Sequence, residues 1–158
     1  MSDTNAPVTR RQFCAGACQV ASGATLATLI SACGGGSSPT SPGGMATTLG
    51  VLSGRFTGSV VQVTAAGSAL TDVGGAVLVD STAGLFLIAR TSATTFSAID
   101  ATCTHEGCTI TDADGGTYVC PCHGSRYNRS GQVLGGPATS SLRQYATTFS
   151  DGVVTIAI

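Results

Sequence analysis

The chain has 158 residues, of which 9% are charged. Seven Arg and no Lys stand against eight Asp plus Glu, so no basic face can form and a nucleic-acid ligand is excluded. That length allows one domain with a modest core, and 22 glycines with no tryptophan point to a turn-rich one.

The N-terminus reads as an address. Thr9-Arg10-Arg11-Gln12-Phe13 has the R-R-x-F form of a twin-arginine export signal. An uncharged stretch rich in Ala, Ser, Thr and Gly runs from Ala15 to Ala32, and such a signal is set aside from fold reasoning. Ile30-Ser31-Ala32-Cys33 looks like a lipobox, which predicts cleavage after residue 32 and lipidation of Cys33. Two alternatives stay open. One is an uncleaved membrane anchor, because the stretch is near bilayer-spanning length; it is nevertheless poor in Leu, Ile and Phe and interrupted by Gln19 and Ser22. The other is release by ordinary cleavage. Cys14 and Cys18 lie inside the signal and have no expected role in the mature protein.

Residues 33–48, with Gly34-Gly35-Gly36-Ser37-Ser38 and a Pro/Ser/Thr/Gly run after it, read as a flexible tether. From Leu49 onward the pattern is that of strands. Val60–Val63, Ala76–Val79 and Leu85–Ile88 are short apolar runs, and Thr95–Ile99 and Val153–Ile158 alternate or are β-branched. No 3.6-residue stripe of helical length appears after Cys33. An all-β domain over 49–158 follows. Asp112 and Asp114 beside Gly115-Gly116 are expected in a turn, and Arg126 and Arg129 in a solvated loop.

Two boxes carry the chemistry: Cys103-Thr104-His105-Glu106-Gly107-Cys108 and Cys120-Pro121-Cys122-His123-Gly124-Ser125. They hold both histidines of the chain and four of its seven cysteines. Two Cys-His pairs close in sequence suit one metal centre. A tetrahedral Cys2His2 zinc site is the chemical alternative, although zinc fingers pair cysteine with cysteine and histidine with histidine.

Residue by residue, C-T-H-x-G-C followed by C-P-C-H-G-S resembles the Rieske family of [2Fe–2S] proteins. The resemblance implies an all-β, Rieske-like domain of three antiparallel sheets, with a small cluster-binding subdomain formed by two loops. It implies one [2Fe–2S] cluster per chain. Cys103 and Cys120 would bind one iron, His105 and His123 the other, and Cys108 and Cys122 would form a disulfide between the loops. Gly135-Gly136-Pro137-Ala138 resembles the loop that covers the cluster, with Gly136 and Pro137 at its centre. Ser125 and Tyr127 stand where the high-potential branch places hydroxyls that bond to cluster sulfur. Their plain alternatives are a turn hydroxyl and a strand aromatic.

Ligand charge explains what such a centre does. Neutral imidazoles in place of two thiolates make an added electron easier to hold, and mixed centres are known to span about −150 to +300 mV against about −400 mV for plant-type clusters. Ferric iron also acidifies the imidazole N–H, so the midpoint potential is expected to fall as pH rises above neutrality. Export fits the same picture, since the twin-arginine route moves proteins already folded and a threaded chain could not retain a cluster.

The function expected is one-electron transfer on the outer, periplasmic face of the cytoplasmic membrane, between protein redox partners such as cytochrome, quinol-oxidising or molybdenum-enzyme subunits. One alternative is the Rieske subunit of a quinol–cytochrome c reductase. That subunit carries an apolar residue where this chain has Glu106, and a carboxylate in an apolar crater is costly. The small subunit of a periplasmic molybdenum oxidoreductase is another. A ferredoxin for a ring-hydroxylating oxygenase fits less well, because Cys108, Cys122 and the export signal point to an oxidising compartment.

Overall fold

The computed structural model describes residues 45–158. The export signal, Cys14, Cys18, the lipidation site Cys33 and the tether up to residue 44 lie outside the described residues. Among the described residues no helix is long and apolar enough to cross a membrane.

In chain order the strands begin with β1 (Thr47–Thr48), β2 (Gly50–Ser53), β3 (Arg55–Thr57) and β4 (Val60–Thr64). A 3-10 turn, Ala69–Thr71, leads to β5 (Ala76–Ser81), β6 (Gly84–Arg90) and β7 (Phe96–Asp100). After the first box come β8 (Asp112–Asp114) and β9 (Thr117–Val119). The second box precedes β10 (Arg126–Tyr127), β11 (Val133–Gly135), β12 (Gln144–Tyr145), β13 (Thr147–Ser150) and β14 (Val153–Ala157).

These strands form three sheets, ordered β12-β7-β6-β5-β2, β13-β14-β4-β3 and β1-β8-β9-β10-β11. Every pair is antiparallel except β2 with β5 at the edge of the first sheet. The apolar runs of the sequence explain why that sheet is central. Val77, Val79, Phe86, Ile88, Phe96 and Ala98 face one core, while Ala76, Leu78, Leu87, Ala89, Ile99 and Ala101 face another. A strand buried on both faces reads as a continuous apolar run instead of an alternation. β14, covered on one face only, alternates buried Val154 and Ile156 with half-exposed neighbours.

Arg90 ties the elements around the first core together. Its guanidinium donates to the carbonyls of Leu70, Thr71, Ser92 and Ala93 and lies 5.5 Å from the Phe96 ring. The second core continues into the third sheet, where Cys103, Cys120, Tyr118 and Tyr127 join Ile110, Ala138 and Leu142. That sheet carries the two boxes on its connections.

Three expectations change. Thr47 and Thr48, at the end of the tether, already pair with β8 through Ala113 and Asp112. Asp112 and Asp114 are in a strand and not in the turn, which Gly115 and Gly116 make alone. Asp114 faces across the sheet to Arg126, 3.0 Å away, so Arg126 is a strand residue with an ion-pair partner. Arg129 is likewise held, 4.4 Å over the Tyr118 ring with a bond of 2.7 Å to the Gly115 carbonyl.

Candidate metal centre

The two boxes fold into the same backbone turn. In the first, Gly107 N–H donates to the Cys103 carbonyl at 2.9 Å, and Cys103 N–H donates to the Cys108 carbonyl at 2.8 Å. In the second, Gly124 N–H donates to the Cys120 carbonyl at 3.0 Å, and Cys120 N–H donates to the Ser125 carbonyl at 2.8 Å. Each is an α-turn closed by a glycine in the left-handed region, φ 74° at Gly107 and 71° at Gly124. That requirement is why both boxes have glycine four residues after their first cysteine. The histidine comes two residues after that cysteine in one box and three in the other.

The loops are joined by a Cys108–Cys122 disulfide. Cys103 and Cys120 remain free thiols, both buried. The sulfurs of Cys108, Cys120 and Cys122 lie close together, but two of them are consumed by the disulfide, so no three-cysteine metal site exists there. Between the free pair the proton is unevenly placed. Burial pushes the Cys103 thiol up, yet hydrogen bonds from Tyr127, His105 N–H, Cys120 and Ser125 outweigh it and the net shift is downward. Burial and donation to Cys103 push Cys120 up. Cys103 is thus the readier thiolate, the form that binds metal.

His105 and His123 meet edge to face with ring centroids 4.9 Å apart. His105 Nδ1 is buried and has no hydrogen-bond partner. A buried polar atom left unpaired costs about 1–3 kcal/mol, so this nitrogen points to a ligand. Glu106, exposed between the rings, places Oε1 4.0 Å from His105 Nε2 and Oε2 3.7 Å from His123 Nδ1. A lone divalent metal on His105, Glu106 and His123 would leave His105 Nδ1 and both free thiols unused. A cluster of mixed ligation uses all of them, and the donor set fits it.

Two buried hydroxyls border the thiols. Tyr127 OH is 3.3 Å from Cys103 Sγ. It accepts from Thr104 N–H at 3.3 Å and lies 3.0 Å from Thr104 Oγ1. The Thr104 hydroxyl donates to the Ser140 carbonyl at 2.6 Å, so it has no hydrogen left for Tyr127, and the single phenol hydrogen is shared between Thr104 Oγ1 and Cys103 Sγ. Burial and the contact with Cys103 raise the Tyr127 pKa against the opposing pull of the two Thr104 contacts, so the phenol stays protonated as a donor. Ser125 Oγ accepts from Ala138 N–H at 3.2 Å, which leaves its own hydrogen free. Gly136, φ 87°, packs against the backbone of Gly124 and Ser125, so the Gly135-Gly136-Pro137 loop is seated on the second box.

Several supports had no signal in the sequence. Thr104 and the Ser140 carbonyl are 36 residues apart. Asp100 Oδ1 accepts from Thr102 N–H at 2.7 Å and fixes the entry to the first box. A carboxylate two residues before an N–H is an Asx-turn pattern, and that alone was readable.

A buried pair of thiols beside one half-buried and one exposed imidazole, on loops stapled by a disulfide in an all-β domain, defines an iron–sulfur electron-transfer domain. The family model of the Rieske [2Fe-2S] domain matches residues 57–146, more than half the chain. This chain belongs to the Rieske [2Fe–2S] family, its cofactor is a [2Fe–2S] cluster, and its chemistry is Rieske-type electron transfer. The cytochrome b6-f complex iron-sulfur subunit of Chlorobaculum tepidum is 36% identical over 63 residues, 39% of this chain and 35% of that protein. Cytochrome b6-f complex iron-sulfur subunit 1 of the Cyanophora paradoxa cyanelle is 45% identical over 58 residues, 35% of this chain and 24% of that protein. A chain in a solved complex of reduced oxygenase and oxidized ferredoxin in carbazole 1,9a-dioxygenase aligns with TM-score 0.51 at 26% identity. It covers 63% of this chain and 93% of its own length. The chain spans about a quarter to a third of the length of the curated relatives it matches.

Proposed function

We propose that this protein is a one-electron carrier on the outer face of the cytoplasmic membrane, with its cluster held by Cys103, His105, Cys120 and His123. The observation that carries the ligand set is the orphaned, buried His105 Nδ1 beside two free buried thiols. Bound there, a [2Fe–2S] cluster supplies a reversible one-electron site.

The chain's residues do the rest. Cys103 and Cys120 offer sulfur from the buried side, and the histidines leave ring edges at the surface, where an electron can pass to a docked protein. Tyr127 and Ser125 direct hydroxyl hydrogens toward sulfur, which stabilises the added negative charge and raises the potential. The disulfide holds the loops at a fixed separation, so little has to move when charge changes.

Location rests on Arg10-Arg11, on Cys33 in its lipobox and on a disulfide suited to an oxidising compartment. A second reading, a subunit of a quinol-oxidising cytochrome complex, is favoured by the names of the curated relatives. Glu106 weighs against it, because that carboxylate would have to enter an apolar quinol pocket.

Electron paramagnetic resonance of the reduced protein tests the ligand set, with a rhombic signal of average g below 2 expected. A silent protein containing zinc would overturn it. Fractionation tests the location: wild type should stay with the membrane after the outer compartment is released, and Cys33→Ser should be soluble there. Retention of both in the cytoplasm would refute export.

A further inference from the structure

The exposed tip of the two boxes carries the chain's only glutamate. Glu106 is 61% exposed, while His105 and His123 on either side are 27% and 48% exposed. Among the described residues no arginine lies within ion-pair distance of it. Four of the five arginines in residues 45–158 are engaged elsewhere. Arg90 serves backbone carbonyls, Arg126 pairs with Asp114, Arg129 covers Tyr118 and Arg143 covers Tyr145. Residues 45–158 hold five Arg against seven Asp plus Glu, so the domain carries no net positive charge. Its neighbours are the two imidazoles, at 4.0 and 3.7 Å, which as neutral ligands do not cancel its charge, so the carboxylate is placed to meet a cation on another molecule.

We propose that Glu106 makes the histidine tip a docking face for a basic protein carrying a one-electron acceptor, a haem or copper centre rimmed by Lys or Arg. The proposal rests on the electron-carrier reading above. Charge counting adds a direction. Two ferric ions, two sulfides and two thiolates cancel, so the oxidised tip carries the Glu106 charge alone. One added electron brings it to about twice that. The reduced carrier attracts a basic acceptor more strongly than the oxidised one. When one electron passes to the acceptor and the cluster returns to its all-ferric state, the attraction falls and the products separate. The step moves one electron from the reduced cluster to the acceptor, and no bond between heavy atoms forms or breaks.

The test uses the full-length, cluster-loaded protein and a basic c-type cytochrome whose haem iron is replaced by zinc, so that binding is read without electron flow. Affinity is measured for oxidised and reduced protein at low and high salt. Reduced wild type should bind more tightly than oxidised, and salt should remove the difference. Glu106→Gln should weaken binding to the basic cytochrome about two- to fivefold, the effect of one exposed ion pair, and Glu106→Asp should restore part of it. An acidic cytochrome should bind Glu106→Gln at least as well as wild type. Equal affinity of wild type and Glu106→Gln in both redox states would overturn the proposal, as would an acidic cytochrome bound as tightly as the basic one. Protein that stays colourless after iron and sulfide reconstitution would instead overturn the carrier reading beneath it.

Discussion

Replacing Gly136 with alanine should loosen the cluster loops more than any comparable change nearby. A Cβ built there meets Ser125 Cα at 2.6 Å, the Gly124 carbonyl oxygen at 2.8 Å and Ser125 N at 2.9 Å. All three are backbone atoms of the second box, which the α-turn and the disulfide hold in place, so nothing flexible can give way. The residue also sits at φ 87°, where an L-side chain costs about 1–2 kcal/mol. Overpacking adds about 1–3 kcal/mol. The sum is about 2–5 kcal/mol, which for a domain of this size lowers Tm by roughly 8–20 °C. Gly135→Ala is the control, because its Cβ meets nothing within 4 Å. Thermal unfolding of the cluster-loaded proteins, followed by visible absorption and circular dichroism, gives both values. The reasoning fails if the two alanine variants melt together.

Other consequences are quicker to state. Cys108→Ser should cost about 3 kcal/mol, the loop-closure value for a 14-residue separation, and the same loss should follow reductant in wild type; equal melting with and without reductant would contradict it. Ser125→Ala and Tyr127→Phe should each lower the midpoint potential in a protein-film titration, and an unchanged value would show that the hydroxyl does not reach sulfur. The wild-type potential should fall as pH rises above neutrality, since imidazole ligands couple electron and proton; a flat profile from pH 6 to 10 contradicts histidine ligation. Arg90→Ala should destabilise the fold by about 2–4 kcal/mol, because two partly buried carbonyls, Leu70 and Ser92, lose a charged donor, while the potential stays as in wild type.

What was readable in the sequence is what is local. Each box contains its own cysteine, histidine and turn glycine within six residues, so the candidate donors stood together before any fold was known. The central strands were readable because burial on both faces writes a continuous apolar run, as in Ala76–Val79 and Leu85–Ile88. β1, β10 and β12, of two residues each, are too short to show any period and depend on their neighbours. Asp112 and Asp114 misled because turn residues beside Gly-Gly are indistinguishable from the end of a hairpin strand. The network from Tyr127 through Thr104 to the Ser140 carbonyl joins segments 23 and 36 residues apart. Nothing in either segment alone specifies that closure. The meeting of Glu106 with both imidazoles is of the same kind, since it needs the two loops brought face to face.

The ligand assignment is open to one direct measurement. Both histidines of the chain lie in the boxes, so growth on 15N-histidine labels nitrogen only in the two proposed donor residues. Pulsed paramagnetic resonance of the reduced protein should then show two strongly coupled 15N nuclei, and His105→Ala should remove the cluster signal. A spectrum with no nitrogen coupling, unchanged by the label, would contradict the account.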